Sequence, residues 1–311
     1  MKEKIFDKRY IPPIISAAFL TALFIKNSSF AVTSVMRGTE KCMTTLIPSL
    51  FPFMVLSSIF IECDVVSLLG LLLGKRSEKL FGISAKALAA VLSGLLFGFP
   101  IGVLALISLY DRNEISNSEL SRSIGFCGIP SFGFTVNTVG ISLFADKSFG
   151  LFMYFSSLLA ALISGFAFNR GKKDSYINYI PPTSKIKKTS EIITNAVITS
   201  AKAVFTLCAY VLFFSCICDC LTETLTGSPQ ISAVFGSLLE LTCGVFACSN
   251  TSGYLKYAIC GFTIGWSGLS VHLQTVALLK NRVEKYSIYF YQKAFQGLLC
   301  SFAALLFYIF E

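Results

Sequence analysis

Long apolar runs follow one another along almost the whole chain, and the charged residues fall between them. The runs are Ile11–Ile25, Leu46–Ile61, Ala87–Tyr110, Gly125–Phe144, Phe149–Phe168, Ile192–Cys220, Ile231–Ala247, Tyr254–Leu279 and Tyr286–Phe310. A hydrocarbon core of about 30 Å takes about 20 helical residues to cross. The pattern predicts an all-α polytopic membrane protein with about seven to nine membrane helices. A membrane β-barrel would show alternating strands of about ten residues instead. Composition agrees: 54% of the 311 residues are hydrophobic and 14% charged, and mean hydropathy is +0.70. A soluble domain is about 45–50% apolar and about 25% charged. A soluble enzyme and a disordered chain are both excluded.

The net charge of +9 sits between the runs, where it sets topology and meets anionic lipid headgroups. No basic helix or zinc spacing supports nucleic-acid binding. Positive charge places the N-terminus, Lys75–Lys86, the linker Arg170–Lys188 and Lys280–Lys285 on the cytoplasmic side. Ile11–Ile25 reads as an uncleaved membrane helix, with a signal peptide cleaved near Ala31 as the competing reading. Val65–Gly74 is too short to span and reads as interfacial or as an extension of its neighbour. Counting crossings then leaves Gly125–Phe144 as re-entrant or the broken tip of a hairpin and Tyr254–Leu279 as re-entrant, with full crossing by both still open. The two halves start on opposite sides, which implies an inverted repeat. Residues support it: Gly94, Leu96, Gly102, Val103 and Ala105 match Gly236, Leu238, Gly244, Val245 and Ala247.

Polar and helix-breaking residues inside the runs are the candidate site, because irregular backbone at membrane depth survives only beside protein or a cavity. Pro100, flanked by Gly98 and Gly102, breaks the run or at the least kinks it. Pro130 and Ser131, with Asn137 beyond, suit a re-entrant tip whose half-helix N–H groups receive an anion. Glu240, followed by Thr242, is the one acidic residue near the middle of a run, a position that suits coupling to a proton or cation, a hydrogen bond to substrate, or a structural cap on a broken helix. Ser267, Ser270 and Gln274 recur at helical spacing, while the sole histidine, His272, lies on another side and suits a pH-sensitive gate or an interhelical hydrogen bond. Lys202 and Lys293 read as snorkelling to the headgroups; lining a cavity instead, they would suit an anionic substrate. The eleven cysteines lie mostly in apolar runs and read as packing residues. Enzyme, metal and cofactor signatures are absent.

Five stretches in order resemble a known family: Leu46–Phe53, Ser93–Gly102, Pro130–Phe132, Glu240–Gly244 and Gly268–Gln274. Together they resemble the YlbJ-type (SpoVV-type) sporulation integral membrane proteins, a branch of the nucleoside-recognition (Gate) domain group related to concentrative nucleoside transporters. The chain departs from that pattern at Val103–Ala105 and at Cys127–Gly128. The resemblance implies an N-terminal helix and connector over 1–40, Gate-like repeats over 41–169 and 191–311, and a basic linker over 170–190. It also implies a place in the outer forespore membrane and movement of dipicolinate, a rigid aromatic dicarboxylate, toward the spore. Phe99, Phe132 or Trp266 could pack on its ring. The readings that stand are therefore transport of a small organic anion, transport of a nucleoside-like solute coupled to Na⁺ or H⁺, and a non-transporting membrane scaffold. The expected partners are a small-molecule substrate and the bilayer; the sequence leaves the oligomeric state open.

Overall fold

The computed structural model describes residues 10–63, 65, 76–171, 188–225 and 228–311. The N-terminal charges at 2–9, most of Val65–Gly74 and most of the basic linker lie outside them.

The described residues form helices and no strand. Helix α1 spans Ile11–Lys26, with prolines in its first turn. Its 16 residues reach about 24 Å. Helix α2 runs unbroken over Ser28–Glu62, so Ser28–Lys41 is helix rather than connector. A π turn over Cys42–Leu46 widens it just before Pro48, where the missing N–H interrupts the α ladder. The remaining elements are α3 Arg76–Phe81, α4 Ala85–Phe97, α5 Ile101–Asp111, α6 Asn117–Ser123, the π-helical α7 Gly133–Leu143, α8 Lys147–Asn169, α9 Thr189–Leu225, α10 Pro229–Leu239, α11 Leu241–Cys248, α12 Gly253–Trp266, α13 Gly268–Leu279 and α14 Ser287–Phe310. Hydroxyl and carboxylate caps start several of them: Ser84 accepts from Ala87 N–H, Ser116 from Glu119 N–H and Asp146 from Ser148 N–H.

Contacts fix the direction of each helix. At one end of the molecule Lys86 Nζ lies 2.5 Å from Glu114 Oε2, Arg282 Nε 2.8 Å from Asp111, and Asn169 donates to the Arg122 carbonyl. Thr199, Lys202 and Lys280 share a cavity there. This is the linker end. At the far end Arg37 lies 3.0 Å from Asp219, Tyr257 donates to Glu311, and Phe149 packs on Tyr257 and Phe307.

Two expectations change. Ala87–Tyr110 does not cross: it folds back at Gly98–Pro100, and both ends of the α4–α5 hairpin stay at the linker end. Gly125–Phe144 crosses instead, as a broken span through α6, an irregular stretch and α7. In the second half α10–α11 is the hairpin, dipping from the far end, and Tyr254–Leu279 crosses as α12–α13. Apolar length cannot separate one span from two short arms. The arms can fold back because glycines let them touch. A β-carbon on Gly94 would lie 2.5 Å from Gly102 Cα, and one on Gly236 would lie 3.2 Å from Gly244 Cα. These are the glycines that the two halves share in sequence.

The order helix, hairpin, broken crossing, helix thus occurs twice: α2, α4–α5, α6–α7, α8, then α9, α10–α11, α12–α13, α14. Each element of the second set runs opposite to its counterpart. This is an inverted repeat. Counterparts pack on one another, α2 on α9 and α8 on α14. The helices α2, α8, α9 and α14 are long and apolar enough to cross a membrane.

Candidate functional site

The breaks meet at the centre. Gly98 turns the first hairpin with φ 84°, followed by a cis Phe99–Pro100 bond. Phe99 N–H donates to the Ile129 carbonyl at 3.0 Å, joining this tip to the broken crossing of its own repeat. The second hairpin turns at Glu240, and its tip lies on Gly268, where the other crossing breaks with positive φ at Ser267 and Gly268. A central cavity of about 60 Å³ lies between the two assemblies. Phe99, Pro130 and Ser131 line it from the first repeat, and Glu240, Thr242, Ser267 and Gln274 from the second. Leu46 and Leu50 of α2, and Leu207 and Val211 of α9, complete the wall.

Glu240 is 2% exposed and is the one charged group among the described residues lining this cavity. Its carboxylate caps α11, accepting Cys243 N–H at 2.8 Å and the Thr242 hydroxyl. It thereby satisfies the positive end of that half-helix. Ser131 does the same for α7, accepting Phe134 N–H at 3.3 Å. Neither α5 nor α13 has a side-chain cap, and of the two it is α13 whose N-cap, Ser267, lines this cavity, so its first N–H groups are open to a ligand.

Larger cavities flank this one along α9. One of about 410 Å³ at the linker end is lined by Phe99, Pro100, Gln274, Lys202 and Lys280. One of about 470 Å³ at the far end is lined by Arg37, Lys41, Ser215, Asp219 and Cys243. Phe99, Leu207 and Gln274 border both the central and the linker-end cavities.

The structure therefore brings together Pro130, Ser131, Glu240, Thr242, Ser267 and Gln274. Pro100 faces the linker-end cavity. Asn137 is exposed and away from the site, because the wide π-helical turns of α7 carry it to the outer face. His272 is buried outside the cavity; its Nδ1 lies 2.7 Å from Tyr289 Oη and its ring packs edge-on against Trp266. Trp266 donates to the Leu238 carbonyl and Phe132 packs on Tyr154, so neither ring lines the cavity. Lys293 does not snorkel: it is 3% exposed. The wall residues Leu207 and Val211 carry no signal that separates them from other apolar residues of α9. Among the described residues no group of side chains could hold a metal ion.

Fold and site define a class: a polytopic all-α membrane protein whose two inverted hairpin repeats close on a central cavity. In sequence the chain is similar to a Bacillus subtilis (strain 168) protein, sporulation integral membrane protein YlbJ. The two are 22% identical over 321 aligned positions, covering 90% of this chain and 78% of that protein. The similarity supports the YlbJ-type resemblance of the motifs. No family model matches the chain, and no solved structure matches it.

Proposed function

We propose that this chain is a membrane transporter acting in sporulation, and that it passes a small organic anion, dipicolinate first, between the two flanking cavities. The observation that carries the reading is the central cavity, closed by two hairpin tips and flanked by larger cavities that both carry cationic side chains. Lys202 and Lys280 stand at one mouth, Arg37 and Lys41 at the other. Such charges raise the local concentration of an anion. The uncapped start of α13 offers N–H groups to a carboxylate.

The central 60 Å³ falls well short of the roughly 300 Å³ of a small-molecule site. Passage therefore requires the tips to withdraw in turn, and an inverted repeat supplies two equivalent ways of doing so. The site's place in the outer forespore membrane belongs to the same proposal. A second reading rests on Glu240. A lone carboxylate at this depth suits coupling to Na⁺ or H⁺, with a nucleoside-like solute as cargo.

The test is uptake of labelled dipicolinate into proteoliposomes, with and without excess uridine and with and without imposed Na⁺ or H⁺ gradients. Saturable uptake that uridine leaves unchanged supports the anion reading. Competition by uridine moves the cargo to the second reading. No uptake by folded protein moves the reading to another solute or to the scaffold.

A further inference from the structure

Helix α14 buries a polar stripe. Tyr289, Gln292, Lys293 and Gln296 are each 3% exposed or less, and their spacing places them on one face. This face covers the irregular stretch between α6 and α7. Lys293 Nζ donates to the Gly128 carbonyl at 2.5 Å and to Gln296 Oε1 at 3.2 Å. Gln296 Nε2 donates to the Gly125 carbonyl at 2.8 Å and to Ser164 at 2.9 Å. Carbonyls that a continuous helix would have satisfied are satisfied here by α14.

No carboxylate pairs with Lys293 among the described residues. The titratable groups around it are Cys127 of the irregular stretch, His272 of α13, and Tyr289 and Cys300 of α14; α8 contributes the hydroxyl of Ser164. A buried ammonium held by dipoles alone is costly in a membrane. A snorkelling lysine would avoid the cost. A second feature points the same way. Both amide atoms of Gln292, Ser123 Oγ and Asn169 Oδ1 are buried without a partner, and they lie between Lys293 and the linker end. Unpaired buried polar atoms mark where water is held.

We propose that Lys293 is a proton-binding site that locks and releases the first broken crossing, with the polar atoms of Gln292, Ser123 and Asn169 carrying the water route to it. With the proton on, the ammonium pins Gly128, which lies two residues before Pro130 of the central cavity. With the proton off, the amine still donates to Gly128 but without charge assistance, at about half the strength, and the stretch loosens enough to move with the hairpin tip, through the Phe99–Ile129 hydrogen bond. The site is independent of which solute is carried.

Hydrogen exchange of the full-length protein in nanodiscs tests it without a substrate. Amide protection over 125–132, normalised to the intrinsic rate, is measured between about pH 6 and about pH 10. The expected result is protection that falls at least about tenfold with rising pH in the wild type. It should be low at every pH in Lys293→Met. In Lys293→Gln, whose neutral amide still donates to Gly128, it should not change with pH. Protection of α8 and α9 reports whether each variant is folded. If Lys293→Met does not fold, the wild type and Lys293→Gln decide. Wild-type protection that ignores pH, or a pH response that survives either substitution, overturns the proposal.

Discussion

Gly268 lies flat against Glu240: a β-carbon on Gly268 would stand 2.8 Å from Glu240 Cα and 2.9 Å from Leu241 N. The other repeat makes the same kind of contact, with a β-carbon on Gly98 coming 2.9 Å from Ser131 Cα. Both glycines have φ of +84°. In each half a hairpin tip rests on a helix break, and a side chain at the join would separate them.

Alanine at either glycine combines a positive-φ backbone, which costs about 1–3 kcal/mol for a residue with a β-carbon, with a backbone clash. Gly171 has φ +79° but nothing near it, so Gly171→Ala carries the first cost alone. Thermal unfolding in detergent should place Gly98→Ala and Gly268→Ala clearly below Gly171→Ala. Equal midpoints for the three would mean that the tips are not held against the breaks.

Much of this arrangement was legible before the structure. Gly94, Gly102, Gly236 and Gly244 stood out as equivalent positions because close backbone approach tolerates little else. Ser131, Glu240, Thr242 and Ser267 stood out because polar groups at helix breaks need a cavity or a partner. The crossings were misassigned because an apolar run that turns back at Gly98–Pro100 has the same length and hydropathy as one that does not. Asn137 was misplaced because a π helix turns its residues by less than 100° each, which an α-helical reading does not anticipate. Lys293 reads as snorkelling because the carbonyl that holds it, Gly128, lies 165 residues away in sequence.

The topology can be read by labelling. Asn113 and Lys280 are exposed at the linker end, and Lys147 and Asn250 at the far end. Cysteines introduced at Asn113 and Lys280 in a background without native cysteines should react with an impermeant thiol reagent from one side of sealed vesicles. Those at Lys147 and Asn250 should react from the other. Labelling of Asn113 and Lys147 from the same side would restore Ala87–Tyr110 as a crossing and remove the inverted repeat.

Arg37 separates stability from recruitment. Its pair with Asp219 is exposed at the arginine and half-buried at the aspartate, and pairs open to solvent contribute about 0–1 kcal/mol. Arg37→Ala should therefore unfold close to the wild type. Uptake of an anion from the far end should nonetheless slow several-fold, and more at low ionic strength, where screening is weak. An effect of the same size at high salt would point to altered structure rather than to the field at the cavity mouth.

Glu240 has two duties, and two substitutions part them. Glu240→Gln keeps an oxygen that can accept Cys243 N–H, so the cap on α11 survives while the charge goes. Glu240→Ala removes both, and loss of an N-cap costs about 0.5–2 kcal/mol. Unfolding midpoints should thus rank wild type and Glu240→Gln together, with Glu240→Ala lower. Uptake then assigns the charge. If the carboxylate carries a coupling ion, Glu240→Gln abolishes the response to an imposed Na⁺ or H⁺ gradient and leaves downhill exchange. If it serves only as a cap, Glu240→Gln transports as the wild type does. In that case the burial of this acid beside Thr242 is explained by the geometry of the hairpin tip alone.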